Sequence, residues 1–68
     1  MFNPMQTAPR PGDIVTYEPF GGGRRVVLVI NVYDEIKNGQ PGFDGRELEG
    51  GGDVWGYNSQ IIRIEEGA

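Results

Sequence analysis

Aromatic side chains are the residues of this chain best suited to binding another molecule. Six of them lie between residues 17 and 57: Tyr17, Phe20, Tyr33, Phe43, Trp55 and Tyr57. Each ring can bury about 150–250 Å² of surface, so a small fold also needs such side chains for its core. For Trp55 we expect a place in or against that core. Phe20 lies in a glycine-flanked turn, and we predict that it is exposed for contact with a partner.

A glycine triplet followed by two arginines is a second candidate for chemistry. Residues 21–23 precede Arg24 and Arg25, and backbone amides of a glycine turn beside guanidinium groups can hold a phosphate. Nucleotide-binding loops lead into a helix and carry a lysine, whereas β-branched residues follow the arginines here. The pattern therefore favours a hairpin with two solvated arginines. Phosphate binding, with single-stranded nucleic acid as the ligand, is the alternative.

Missing residue types limit the possible catalysis. The chain has no cysteine and no histidine, which excludes a thiol nucleophile, a Ser-His-Asp triad and a zinc site of Cys and His. The acidic pairs at 34–35 and 65–66 are adjacent, so on a strand the two carboxylates of each pair point to opposite faces. Asp44 and Asp53 lack the spacing of an EF-hand loop. We expect no enzyme activity, no metal and no cofactor.

Length and charge limit the class of partner. The chain has 68 residues, enough for one small domain, and its ten acidic and six basic residues give a net charge of −4. That charge argues against broad attraction to nucleic acid or anionic lipid. The longest apolar run, residues 26–30, is far shorter than the ~20 residues of a membrane-spanning helix. Residues 1–12 lack the basic region followed by an apolar stretch that is typical of a signal peptide. We expect a cytoplasmic protein without membrane contact, and a protein as its partner.

Short strands separated by glycine must position these side chains. Residues 1–11 contain three prolines and predict a flexible tail, so the folded domain is expected over residues 12–66. Residues 13–18 predict the first strand and residues 24–33 a long second strand. The second strand is apolar on both faces. Val27 and Val29 therefore need cover, either from the following segment or from a second copy of the chain in a homodimer.

The second half of the chain predicts a loop and three more strands. Three turn dipeptides between residues 38 and 45 favour a loop over residues 34–45, with Ile36 and Phe43 packing back onto the domain. Brief strands are expected at 46–49, 54–57 and 61–64, with a tight connection at 58–60 before the last. No window has the periodicity of a helix longer than one turn.

Five short strands with glycine-rich turns are typical of a small barrel. The opening Gly12-Asp13-Ile14-Val15, the loop at 19–23 and the short connection at 58–60 resemble SH3-like barrels over residues 12–65. The resemblance implies an all-β, five-stranded barrel in which aromatic residues of the first loop and the later strands form one binding surface. Carried over to this chain, it assigns a partner-binding groove to Tyr17, Phe20, Trp55 and Tyr57.

Two further resemblances are local. The segments 12–15 and 22–30 are similar to the opening of the MazF/PemK ribonuclease toxins, dimeric barrels that cut single-stranded RNA. Arg25 would match their phosphate-stabilising arginine, but Val26 stands where that family has proline, Ser59 is the only serine and the C-terminal helix is missing. Residues 54–64 resemble small uncharacterised proteins of actinobacterial phages and their hosts. This implies no activity, and it places a phage-encoded protein in the host cytoplasm.

The sequence as a whole favours a non-enzymatic SH3-like module that binds a protein. The alternative is a minimal nucleic-acid-binding or MazF-like endoribonuclease barrel that uses Arg24 and Arg25. Taken together, the two hypotheses predict six binding residues: Tyr17, Phe20, Arg24, Arg25, Trp55 and Tyr57.

Overall fold

Five antiparallel strands and one short 3-10 turn make up the fold in the computed structural model, which describes residues 8–66. The elements are β1 (Ile14–Tyr17), β2 (Arg25–Lys37), β3 (Gln40–Glu47), β4 (Asp53–Tyr57), a 3-10 turn (Asn58–Gln60) and β5 (Ile61–Glu65). Within that range no α-helix is present, as the sequence predicts, and no helix is long and apolar enough to cross a membrane.

The predicted tail over residues 1–11 lies mostly outside the described residues. Its last residues pack onto the sheet, because Pro9 is buried and the Arg10 amide donates a hydrogen bond to Asp13 Oδ2 at 2.9 Å. The Gly12 amide then donates to the Val29 carbonyl at 2.8 Å.

The strands form one sheet in the order β4-β3-β2-β1-β5. All four neighbouring pairs are antiparallel, so the prediction of an all-β, five-stranded fold is confirmed. Over residues 8–66, β4 and β5 remain at opposite edges of the sheet. The sheet is therefore open over these residues, and it lacks the closed ring of strands expected of a barrel.

A long β2–β3 hairpin replaces the loop predicted over residues 34–45. Its two-residue turn is Asn38-Gly39, with φ of 54° and 69°. Two consecutive positive φ angles are the requirement of the type I′ turn, which matches the right-handed twist of the strands that it joins. The loop prediction was wrong because two of the glycines that suggested turns, Gly42 and Gly45, lie inside β3 and permit close backbone approach. A Cβ on Gly42 would lie 2.4 Å from the Gly56 carbonyl oxygen.

The pairing of β2 with β3 is irregular at Ile30. Val29 pairs with Gly45 and Asn31 with Asp44, so Ile30 is an extra residue without a partner in β3. An extra residue of this kind bends the strand and shifts the alternation of its side chains. Val27 and Val29 point into the core, whereas Val32, which pairs with Phe43 beyond the irregularity, is half-exposed. Val26, Leu28 and Ile30 are left half-exposed.

The core is a small cluster on one face of the sheet. Its buried members are Val15, Tyr17, Val27, Val29 and Phe43, with Val54, Ile61 and Ile64 packed against them. The ring of Tyr17 meets that of Phe43 edge to face at a centroid distance of 5.2 Å. The cover that Val27 and Val29 need is thus supplied by the same chain.

The sheet is strongly curled around Tyr17. Two strands, β2 and β3, separate β1 from β4 in the sheet. Even so, a Cβ on Gly56 of β4 would lie 2.8 Å from the ring of Tyr17 in β1. A flat sheet would hold strands three places apart at roughly 14 Å. The absence of a side chain at Gly56 lets β4 fold over this ring.

Candidate functional site

Three aromatic rings meet at the protein surface. Phe20 contacts Tyr57 at a centroid distance of 6.2 Å, and Trp55 contacts Tyr57 at 5.4 Å, both in edge-to-face geometry. Phe20 is 83% exposed and Trp55 is 42% exposed, whereas Tyr57 is nearly buried between them. A depression of about 220 Å³ runs along these rings and is completed by Pro19 and Gln60. We call Phe20, Trp55 and Tyr57 the aromatic surface.

Backbone hydrogen bonds fix the loop that carries Phe20. The Glu18 amide donates to the Gln60 carbonyl at 3.1 Å, and the Gly22 amide donates to the Pro19 carbonyl at 3.0 Å. The first bond joins the loop to the 3-10 turn, and the second closes a turn around Phe20 itself. These bonds fix the backbone at Phe20, and the contact with Tyr57 orients the exposed ring.

Tyr57 is fixed from both ends. Its amide donates to Gln60 Oε1 at 3.0 Å, and its hydroxyl accepts a hydrogen bond from Asn38 Nδ2 at 3.1 Å. The second bond ties the tip of the β2–β3 hairpin to β4. Tyr57 is consequently a rigid support for the two more exposed rings beside it.

The structure assembles only part of the predicted aromatic groove. Tyr17, predicted to line it, is 3% exposed and belongs to the core. Its direction follows from the alternation of β1, in which Val15 and Tyr17 point inward. Trp55, which was expected in or against the core and was also assigned to the groove, is half-exposed, because its neighbours Val54 and Gly56 are the residues of β4 that face the buried cluster. Phe20 is exposed, as the sequence predicts.

The two predicted arginines differ in their surroundings. Arg25 Nη1 lies 3.0 Å from Glu47 Oε1, across the ladder that pairs β2 with β3. This hydrogen-bonded ion pair offsets the positive charge that a phosphate would need. Arg24 precedes β2 and is exposed. The structure therefore leaves one of the two arginines without charge compensation from Glu47.

A second cavity lies on the other side of Trp55. It is an open depression of about 350 Å³ between β2, β3 and β4. Its walls are the rings of Tyr33 and Trp55 with Ile36 and Val54, and its charged groups belong to Lys37, Asp44 and Asp53. We call it the strand cavity. Lys37 and Asp44 were not predicted as site residues, because the turn dipeptides around them indicated a loop.

Hydrogen bonds hold Asp44 at the wall of the strand cavity. Asp44 accepts a bond from the Tyr33 hydroxyl at 2.5 Å and another from Asn31 Nδ2 at 3.1 Å. The bond to the Asp44 carboxylate raises the pKa of Tyr33 above its ordinary value of 10.0. The cause is that this bond needs the phenol proton, so deprotonation would replace it with repulsion between two negative charges.

Replacing Asp44 with asparagine should lower the pKa of Tyr33. We expect the pKa to return towards 10.0 in Asp44→Asn, measured by ¹³C NMR of ζ-labelled tyrosines during a pH titration. In the native protein, the stability that Tyr33 contributes is present below the pKa of an unfolded tyrosine and is lost as the pH rises through the higher folded pKa. Tyr17 is the internal control, because burial is the main cause of its raised pKa. An unchanged Tyr33 titration in the variant would contradict the assignment.

Comparison with other proteins does not assign the chain to a family. No protein-family model, curated protein or solved structure matches the chain. Residues 8–66 also contain no group of three or more carboxylates placed to hold a metal ion. The aromatic surface and the strand cavity are therefore the features from which function must be argued.

Proposed function

We propose that the protein is a non-enzymatic SH3-like module that binds an exposed segment of another protein through the aromatic surface. The observation that carries the proposal is the exposed ring of Phe20, 83% accessible and seated against Tyr57. Exposing so much of a phenylalanine ring forgoes about 2 kcal/mol of burial. Because the backbone of the loop is already ordered, binding a partner at this ring costs little further backbone entropy.

The composition of the surface favours a protein partner. Aromatic residues are enriched in the centres of protein interfaces, where a few rings provide most of the binding energy. Here three rings border one depression of about 220 Å³, and a proline and a glutamine complete it. A depression of this size accommodates one or two side chains of an extended segment.

Three features of the chain support an SH3-like architecture. The strand order β4-β3-β2-β1-β5 places the first strand beside the last. A 3-10 turn directly precedes the last strand. The sheet curls far enough for Tyr17 of β1 to contact β4 at Gly56. We propose that residues 12–66 form a partly open relative of such barrels.

Binding of single-stranded nucleic acid through Arg24 and Arg25 is the competing function. The Arg25–Glu47 ion pair and the net charge of −4 favour the protein partner over it. The two functions respond differently to salt, because neutralising phosphates with arginine releases counterions and makes affinity fall steeply as salt rises.

A peptide selection tests the proposal. Random peptides displayed on phage would be selected against the wild-type chain, and their affinities measured from the fluorescence of Trp55, the only tryptophan. We expect the selected peptides to lose about tenfold or more in affinity for Phe20→Ala, the effect of removing one central interface ring. Between 50 and 300 mM salt their affinity should fall far less steeply than the affinity for a nucleic acid would.

Ile62→Ala is the matched control. Ile62 is also an exposed apolar residue, at 48%, but it lies on β5 at the opposite edge of the sheet from β4. Peptides should bind this variant as they bind the wild type. Equal losses in both variants, or selected peptides that ignore Phe20, would contradict the proposal. Steeply salt-dependent binding of oligouridylate that disappears in the double variant Arg24→Ala/Arg25→Ala would favour the competing function.

A further inference from the structure

The face of the Trp55 ring that borders the strand cavity already holds a positive charge. Lys37 Nζ lies 4.7 Å from the ring centroid, within the roughly 6 Å at which an ammonium group is attracted to an aromatic face. Lys37 is the last residue of β2, directly before the two-residue turn, and is exposed. A flexible, exposed side chain of this kind can leave the ring when another cation replaces it.

The rest of the strand cavity suits a cationic side chain with an apolar stem. Ile36 and Val54 provide apolar wall beside the two rings, and the stems of lysine and arginine pack well on such surfaces. Carboxylates stand at Asp44 and Asp53. The Asp53 side chain is 87% exposed and lies 3.5 Å from Arg46 Nε, so that ion pair is solvated and weak. It leaves Asp53 able to accept a hydrogen bond from an arriving cation.

We infer that the strand cavity binds a lysine or arginine side chain of the partner, and that Lys37 occupies its place in the free protein. The inference rests on the proposed function, because it names the chemistry of the segment that reaches the aromatic surface. Trp55 joins the two sites, since its ring borders both the depression beside Phe20 and the strand cavity. The acidic chain, with a net charge of −4, complements a basic segment.

The test uses short peptides of defined sequence and the indole N–H signal of Trp55 in ¹⁵N NMR spectra. The probes are acetylated, amidated Gly-Ser-Gly-Arg-Gly-Ser-Gly and the same peptide with glutamine in place of arginine. We expect a saturable shift of the indole signal with the arginine peptide and none with the glutamine peptide. Equal shifts with both peptides, or no shift with either, would overturn the inference.

Removing the internal competitor should strengthen binding. In Lys37→Gln the arginine peptide should bind about two- to fivefold more tightly, the gain expected from freeing a solvent-exposed cation–aromatic contact. Arg63→Gln is the matched control, because it removes the same charge from β5, at the other edge of the sheet. An equal gain in both variants would show only an effect of net charge and would refute the role of Lys37.

The role of the Asp53 carboxylate is tested with a similar pair of variants. Asp53→Asn should weaken binding of the arginine peptide about two- to fivefold, whereas Glu65→Gln, which removes a carboxylate from β5, should not. A shift of the indole signal with oligouridylate but not with the arginine peptide would overturn the inference in favour of nucleic acid. If the arginine peptide fails while peptides from the phage selection still depend on Phe20, the strand-cavity inference falls and the proposed function stands.

Discussion

Phe43→Ala is expected to lower the free energy of unfolding by about 3–5 kcal/mol. Phe43 is completely buried and its ring packs on Tyr17 at the centre of the core. Truncating a buried phenylalanine costs about 3–5 kcal/mol, because the apolar contacts are lost and a cavity remains. A chain of this length unfolds with roughly 3–10 kcal/mol in total. The loss of free energy therefore takes up a large part, and at the lower end all, of the stability.

Phe20→Ala makes the same chemical change at an exposed position. Its ring is 83% accessible, so the free energy of unfolding should change by less than about 0.5 kcal/mol. Urea denaturation followed by circular dichroism compares the two variants directly. A Phe43→Ala variant with the wild-type free energy of unfolding would contradict the core described here, and strong destabilisation by Phe20→Ala would show that Phe20 supports the fold.

Gly45→Ala is expected to be the second most damaging single substitution. A Cβ at this position would lie 2.0 Å from the Leu28 carbonyl oxygen and 2.9 Å from Val27 Cγ1. The first of these atoms belongs to the backbone of β2, which cannot move aside without separating the two strands. We expect a loss of about 2 kcal/mol or more in the free energy of unfolding, the cost of overpacking a rigid interior. Thermal unfolding measures it.

Gly52→Ala is the control for this substitution. Nothing lies within 4 Å of a Cβ at Gly52, and its φ is not in the left-handed region. The same added methyl group should therefore leave the melting temperature nearly unchanged, or raise it slightly by restricting the unfolded chain. Equal effects at the two glycines would show that the close approach of β2 and β3 at Gly45 is not rigid.

Residue types and alternation were sufficient to predict much of the fold. The β-branched run 13–18 and the long apolar run after Arg24 correspond to β1 and β2, and the connection at 58–60 is the 3-10 turn. The third strand was misplaced because Gly42 and Gly45 were interpreted as turn residues. Their spatial neighbours, Gly56 and Leu28, are distant in the sequence. Local patterns do not reveal which backbone segments will approach one another.

The candidate site was harder to predict for a related reason. Whether an aromatic residue of a strand faces the core depends on register, and register depends on irregularities such as the extra residue Ile30. Tyr17 was expected on the surface and lies in the core, and the sequence left Trp55 between the core and the groove. The exposure of Phe20 was predictable because it follows from the short-range turn that contains the residue. The strand cavity exists only because β2 pairs with β3. In the sequence, the turn dipeptide Asn38-Gly39 is the clearest indication of that pairing.

The open sheet has a consequence for self-association. A sheet with two free edges offers unpaired backbone groups to other copies, which is a common starting point for aggregation. Both edge strands here are only five residues long. Each carries exposed charge, Asp53 on β4 and Arg63 and Glu65 on β5. Short edge strands and charged side chains oppose the addition of strands from other copies. The chain therefore limits edge-to-edge association by the length and charge of its edge strands, without closing the sheet.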